Sequence, residues 1–394
     1  MNPSCSVSGT QQLNQCWVKM KKPDHFDLTY VTIDSLSEGV GSSQITPLIS
    51  RLSKSGLRIN LISFEKTNPR DQLGDYFKSI GVEWNLLPFG SDGAAGGAAR
   101  LLRLREAIQK TSLIHARSDI PAVSAIASHQ APVLWDVRSL WADQKVMIQK
   151  NPLNKALYPA YRRLESIAAS KSMGMSTLTS AVVPILEQRN KRLPQLRAVV
   201  PTSVDLERFK LSPNMPPVVS ALFSGTYNEY YDLDLSAQFM NEIRKLITID
   251  IHWARPVESN RNLIGVGETR VFHSPQVGMS ELIPNYSFGI SVCKLDAGPS
   301  LSAAMPTKIA EFLACGRPIV VNRGLGDMDK FIEEFDAGVT LDGSLENLVE
   351  SATKLVTLLL DSQTPQRCRA LAEKYFNMDV GAEKYLNLYS QILN

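Results

Sequence analysis

The sequence predicts an α/β protein built from two parallel-sheet domains, and three observations carry that prediction. Its 394 residues exceed what one ordinary hydrophobic core organises. Short apolar runs alternate with stretches of helical periodicity along most of the chain, the pattern of strand-helix-strand units. A proline-rich break, Ser212-Pro213-Asn214-Met215-Pro216-Pro217, separates two such series.

The chain opens with a polar segment, 1–24, which lacks the apolar core of a signal peptide and contains Met20 before Lys21-Lys22. It reads as a loose extension. Residues 28–33 form the first expected strand, 35–43 a loop, and Ile45, Leu48, Ile49 and Leu52 the buried stripe of a helix. Further strands are expected at 57–64, 82–87, 113–116, 133–136 and 173–177. The glycine-rich run 91–97 reads as a flexible connection, because no strand immediately precedes it. After the break, strands are expected at 218–224, 249–254, 288–292 and 319–322. Tyr385, Leu388, Tyr389 and Ile392 give the last helix an apolar face. The expected organisation is therefore an amino-terminal domain over 25–203, a linker over 204–217, a second domain over 218–376 and a terminal helix over 377–394.

Composition narrows the class. Hydrophobic residues at 44% and charged residues at 21% fit a soluble globular chain, and no apolar run approaches the roughly 20 residues of a membrane span. A net charge of +3 is too mild to imply nucleic acid, although a local basic patch would suit an anionic lipid surface. The five cysteines show no Cys-x-x-Cys spacing and are odd in number, so a disulfide framework is not expected, and Cys315 reads as a packing residue. The five histidines show no metal-ligand spacing, and no metal site is read.

The most informative segment is Pro306-Thr307-Lys308-Ile309-Ala310-Glu311-Phe312-Leu313-Ala314-Cys315-Gly316-Arg317-Pro318. Pro306 suits the first helical position, Gly316 the left-handed stop, and Pro318 opens the strand that follows. Lys308 and Glu311 share one helix face just after the helix start, where partial positive charge favours a phosphate. A carboxylate there can accept both hydroxyls of a ribose. The alternative is a solvated ion pair worth about 0.2–0.5 kcal/mol.

Other loops fall at the carboxyl ends of expected strands, where open α/β sheets bind ligands. Gly39 and Gly41 would let the backbone approach a bound group, and Ser42 or Ser43 could cap the helix or bond a phosphate or hydroxyl. Asp136 could orient a hydroxyl and Arg138 clamp a phosphate, unless they serve an internal Asp136/Arg138 or Arg138/Asp143 pair. Trp135 and Trp141 read as packing. Gly225 and Thr226 end a strand and could meet a diphosphate, with Arg255 and Arg261 as further cations and His273 as a base neighbour or a buried histidine.

These islands, in this order, resemble the bacterial retaining glycosyltransferases of the family 4 type, in a branch reading Pro-Thr-Lys, two residues, Glu. The likeness extends through His115-Ala116-Arg117-Ser118, Asp136-Val137-Arg138-Ser139-Leu140-Trp141-Ala142-Asp143, the linker Val200-Pro201-Thr202-Ser203-Val204-Asp205-Leu206-Glu207-Arg208-Phe209, Phe223-Ser224-Gly225-Thr226 and Gly324-Leu325-Gly326-Asp327. It implies two Rossmann-like domains facing across a cleft, the GT-B arrangement, with the terminal helix returning to the first domain. It further implies transfer of a hexose-like unit from a nucleotide-sugar donor to a glycan or lipid-linked acceptor, with retention and without a bound cofactor or metal. Donor binding would fall to Gly225, Thr226, Arg255, Pro306, Thr307, Lys308 and Glu311, catalysis to Asp136, Arg138 and Lys308, and acceptor or phosphate contact to Gly41, Ser42 and Ser43. The expected setting is polysaccharide assembly at the cytoplasmic membrane face, with a peripheral contact to anionic lipid. This chain has Ala303 where commoner members carry a glutamate that touches the donor sugar, and it lacks the usual basic pair after Thr226. An epimerase or hydrolase on the same scaffold, or a non-catalytic nucleotide-binding subunit, are the competing readings.

Overall fold

The computed structural model describes residues 25–37, 39–66, 73–91, 93–148, 151–225, 228–255, 269–273 and 278–394. The expected extension 1–24, Thr226 and Arg261 lie outside them.

Two parallel sheets organise the chain. The first contains β1 (Phe26–Val31), β2 (Ile59–Glu65), β3 (Val82–Pro88), β4 (Thr111–Arg117), β5 (Val133–Val137), β6 (Gly174–Thr177) and β7 (Leu196–Val199), in the spatial order β3-β2-β1-β4-β5-β6-β7. The second contains β8 (Ser220–Ser224), β9 (Asp250–Arg255), β10 (Thr269–His273), β11 (Phe288–Ser291), β12 (Ile319–Asn322) and β13 (Gly338–Leu341), in the order β10-β9-β8-β11-β12-β13. The central strands β1, β8, β11 and β12 are buried throughout, as strands covered by helices on both faces must be. Chain direction reverses its walk across each sheet beside the first strand, between β1 and β4 and between β8 and β11. Those switch points are where parallel α/β sheets open a crevice for ligands.

The expected strands formed, but β7, β10 and β13 were missed. All three are edges of their sheets, and β7 and β13 have only four residues each. An edge strand has one hydrogen-bonded neighbour, so its apolar run is short and its pattern weak. The run 91–97 was expected as a flexible connection and instead enters the helix Gly93–Ala107. The strong helix formers that follow, from Ala98 to Ala107, carry the helix despite the cost of its glycines. Arg100 anchors the start, donating to the carbonyls of Phe89 and Ser91 at 3.0 and 2.8 Å with its guanidinium over the Phe89 ring.

Two seams join the lobes. At the first, the linker and the returning chain lie side by side: Val204 N–H donates to Phe376 O at 2.7 Å, and Met378 N–H donates to Val204 O at 3.1 Å. From there the helix Met378–Leu393 runs back over the first sheet, burying Met378, Ala382, Tyr385, Leu388, Tyr389 and Ile392 with residues of β1, β2 and β4. At the second seam, Asp327 accepts from Ser180 N–H, Ser180 Oγ and Ala181 N–H at 2.7–3.0 Å, and Thr179 Oγ1 donates to Ser302 O at 2.6 Å. Among the described residues, no helix is long and apolar enough to cross a membrane.

Candidate active site

A cavity of about 290 Å³ lies between the sheets, lined from one side by Gly39, Ser43, Gln44, Arg117 and Arg138 and from the other by Gly225, Tyr231, Pro306, Thr307, Lys308 and Glu311. Each wall comes from the carboxyl ends of strands and the loops that follow them. The two switch points thus face one another.

The second wall is organised by the helix Thr307–Ala314. Pro306 was expected as its first residue; it is instead the N-cap, with extended backbone (φ −58°, ψ 132°). Proline suits that place equally, since no amide proton is needed at a helix entrance. Gly316 stops the helix at φ +77°, where a side chain would also strike Leu211 and Pro365. Ile309, Phe312 and Leu313 are fully buried, so the helix is fixed by its apolar face.

Lys308 and Glu311 are only 8% and 3% exposed. A solvated surface pair is therefore excluded. The Lys308 ammonium stands 4.3 Å from the centre of the Tyr231 ring and about 4.0 Å from where a Cβ on Gly225 would lie. Burial pushes this lysine down to about 7, a fall that the neighbouring Cys293 and Glu311 offset only in part. Gly225 itself has φ +85°, so the turn after β8 depends on glycine. Thr226 is beyond the described residues. Arg255 ends β9, paired in register with His273, and the side chains of both lie outside what is described.

The first wall corrects several expectations. Gly41 does not offer its backbone to a ligand: a Cβ there would lie 1.8 Å from Ser35 O, so glycine is required by internal packing. Ser42 and Ser43 both donate to Gly39 O, at 3.0 and 2.9 Å, inside a helical turn that begins before the expected boundary. Of the three residues expected in that loop, Ser43 lines the cavity and Gly41 and Ser42 do not.

Asp136 is also absent from the wall. Its carboxylate is 1% exposed and lies behind the cavity, accepting from Ser176 Oγ at 2.9 Å and Tyr385 Oη at 3.1 Å. His115 Nε2 stands 3.3 Å away, with Arg138 and Arg117 at 3.6 and 3.8 Å. Burial alone would raise this carboxyl, but Arg138, His115 and Arg117 outweigh it and hold it well below the usual carboxylate range. His115 is lowered mainly by its own burial, and its Nδ1 meets Tyr389 Oη at 2.6 Å. The neutral imidazole meets Tyr389 through Nδ1, while its Nε2 and the facing Asp136 Oδ2 are close without forming a well-aligned hydrogen bond.

Arg138 lines the cavity, with Asp136 beneath it. Asp143, the other partner considered for it, is engaged by Arg189 and Tyr158. Trp135 is fully buried and donates to Asp119, and Trp141 stacks edgewise on Tyr161. Cys315 is buried with its thiol pushed up to about 12 by burial, which fits packing.

Sequence reasoning singled out neither Arg117 nor Tyr231 as a site residue. Arg117 closes β4 and is followed by Ser118 at φ +78°, a left-handed conformation rare for serine. Tyr231 sits beneath Lys308. The available signal was the place of Arg117 at the end of β4, beside a switch point; Tyr231 lies in the loop after β8, bridged to Cys293. Two Asp-x-Asp triplets, Asp232-Leu233-Asp234 and Asp327-Met328-Asp329, have structural partners. Asp232 caps a helix by accepting from Leu235 N–H, Asp327 holds the second seam, and Asp329 accepts from Gly324 N–H. Among the described residues, no group of three or more His, Cys, Asp and Glu could hold a metal ion.

No family model matches this sequence, and no curated protein matches it. Solved structures do. Sucrose-phosphate synthase from Thermosynechococcus elongatus is similar over 92% of this chain and 98% of its own, at 12% identity and a TM-score of 0.69. A glycosyltransferase from Rickettsia africae is similar over 94% and 99%, at 16% identity and 0.64. HepE from Anabaena, solved with UDP and glucose, is similar over 93% and 100%, at 12% identity and 0.65. At such identities the likeness concerns architecture. The chain has the GT-B fold: two Rossmann-like domains facing across a cleft, with the terminal helix crossing back to the first.

Proposed function

We propose that the protein is a glycosyltransferase of the retaining family 4 type, moving a hexose-like unit from a nucleotide sugar to an acceptor hydroxyl. One observation carries the reading. A buried lysine and a buried glutamate, one helical turn apart, share a cleft wall with a glycine turn, opposite arginines from the other lobe. The proposed division has residues 218–376 holding the donor and residues 25–203 the acceptor, joined through the linker 204–217 and overlain by the terminal helix 377–394.

In this reading Glu311 accepts from the ribose hydroxyls, while Lys308, the amide of the Gly225 turn and the start of helix Thr307–Ala314 meet the diphosphate. The anomeric carbon–oxygen bond to the diphosphate breaks, and the acceptor oxygen bonds to that carbon on the same face. The acceptor proton passes to the departing phosphate oxygen, so no separate general base is needed. Negative charge grows on the leaving group in the transition state, and preoriented cations stabilise it there more than in the ground state. Metal-independence, polysaccharide assembly and work at the cytoplasmic membrane face rest on the sequence resemblance alone. Ala303 is buried against core residues of the first domain, so recognition of the sugar hydroxyls falls to other groups.

Titration calorimetry with UDP tests the donor site. Glu311→Gln removes charge-assisted hydrogen bonds worth about 1.5–3 kcal/mol, a loss of about ten- to hundredfold in affinity. Unchanged nucleotide affinity would refute the assignment. Product analysis by NMR then separates transfer with retention from epimerisation or hydrolysis, and a chain that binds UDP but turns over no UDP-sugar would be a binding subunit.

A further inference from the structure

The donor contacts assigned above come from the second lobe, which leaves the arginines of the first wall open to a role of their own. Arg117 and Arg138 come from the ends of adjacent strands, β4 and β5, and both line the cavity, whereas the carboxylate they share, Asp136, lies behind them. Positive charge therefore faces the cleft, compensated from the interior by Asp136 and, for Arg117, by the partly exposed Asp34 at 2.9 Å.

Arg138 is weakly engaged within the protein. Its Nη1 is 3.4 Å from Tyr385 Oη and 3.6 Å from Asp136, and its buried Nε has no hydrogen-bond partner. A guanidinium offers five donors in a planar fork, and leaving them unmade in a desolvated site is costly. Arg117 uses its Nε on Asp34 at 2.9 Å and approaches Asp136 only at 3.8 Å. The positive φ of Ser118 immediately after it is backbone strain of the kind that collects at functional positions. Both arginines also border a small space behind the main cavity, closed by Gln44, Ser203, Met378 and Tyr385. The returning helix thus limits how far a bound group can penetrate.

We propose that this wall is an anion subsite for the second substrate, and that the acceptor carries a phosphate ester held by Arg138 and Arg117. Two converging guanidiniums match a doubly charged phosphate better than a singly charged carboxylate. The proposal rests on the glycosyltransferase reading for the word acceptor, but the anion subsite stands on the arginines alone.

The test uses the full chain, titrated calorimetrically at constant ionic strength with UDP, with inorganic phosphate, and with hexoses, hexose 6-phosphates and glucuronate in the presence of UDP. The expected result is binding that requires the phosphate ester and weakens at least tenfold in Arg138→Gln, with UDP affinity within twofold of wild type. Arg138→Lys keeps the charge without the fork and should lie between; because it is the gentler change, it carries the test if Arg138→Gln fails to fold. A fall in UDP affinity as large as that for the sugar phosphate would overturn the proposal, assigning the arginines to the donor's diphosphate. A panel without a phosphate-dependent member, or one preferring glucuronate, would overturn it too. If UDP does not bind wild-type protein, the donor reading fails by itself, while inorganic phosphate still reports on the arginines.

Discussion

Lys308 carries the most informative single-residue consequence, because the proposed donor site links its protonation to nucleotide binding. With its pKa pushed down to about 7 by burial, it is largely uncharged in the free protein at pH 8. A bound diphosphate favours the ammonium, so nucleotide binding should draw a proton onto this side chain. The sign follows directly. Affinity for UDP should be greatest below pH 7 and fall as pH rises through that value, by up to tenfold per unit, until the pKa of the complex is passed. The second phosphate ionisation, near 6, is complete over most of that window. Calorimetry at pH 8 in buffers of different ionisation enthalpy should register uptake approaching one proton for wild type and none for Lys308→Met. The same linkage acts on folding: the unfolded lysine keeps its proton up to about 10.5, so the unliganded protein gains stability as pH rises from 7 toward that value. Lys308→Met should therefore abolish turnover while leaving the melting temperature unchanged or higher. Equal loss of both would make the lysine a structural residue.

Helices position this chemistry, and two of them can be perturbed without touching the cavity. Helix Thr307–Ala314 lies on β11 with the Phe312 ring against Gly289, where an added Cβ would fall 2.4–2.6 Å from three ring carbons. Gly289→Ala must push the helix off the sheet, at an overpacking cost of about 1–3 kcal/mol. Denaturation should show that loss, and UDP affinity should fall with it, because Lys308 and Glu311 ride on the displaced element. The terminal helix acts on the other wall. Tyr385→Phe removes a hydroxyl that Asp136 accepts and that Arg138 approaches, so its effect should include a raised KM for the acceptor with KM for the donor unchanged. A variant that loses only stability would limit Tyr385 to packing. Much of this scaffold was legible in the sequence because its cause is local. The interior strands are short buried runs dominated by apolar residues, and the helix of Lys308 is bracketed by Pro306 and by a glycine at positive φ. The cluster beneath Arg138 was not legible, since Tyr385 and Asp136 are 249 positions apart and only the chain's return brings them together. Asp136 was read as facing the cleft because it ends a strand there. Its actual direction depends on a histidine and two arginines whose arrangement no local pattern encodes.

The two seams set the behaviour of the whole molecule, and they differ in kind. Where the chain crosses between lobes, the contact is continuous backbone, reinforced by Gln44, which exchanges hydrogen bonds with the main chain of Ser203. At the second seam the polar contacts centre on Asp327, which accepts from Ser180 and Ala181, and on Thr179 Oγ1, beside apolar packing of Ala303 on the first domain and of Leu178, Met147 and Ile148 on the second. Gly326 adjoins Asp327 at φ +52°, with space for a Cβ blocked by Thr179 and by Ala304 O, so the approach is as close as glycine allows. Opening should hinge at the first seam and rupture the second. Asp327→Ala removes charge-assisted bonds that are partly solvent-exposed, which limits their worth to about 1.5 kcal/mol, a factor of roughly ten in the open-to-closed ratio. Small-angle scattering of the unliganded variant should give a larger radius of gyration than wild type. UDP with an acceptor should restore the closed value, because a ligand pair held by both walls binds the closed form preferentially. The expected kinetic counterpart is a raised KM for both substrates with kcat nearly unchanged, since the closed geometry is recovered once they are bound. A scattering profile identical to wild type without ligand would show that Asp327 does not hold the lobes together, and closure would have to be assigned to the backbone seam and the apolar packing around Leu178 and Ala303.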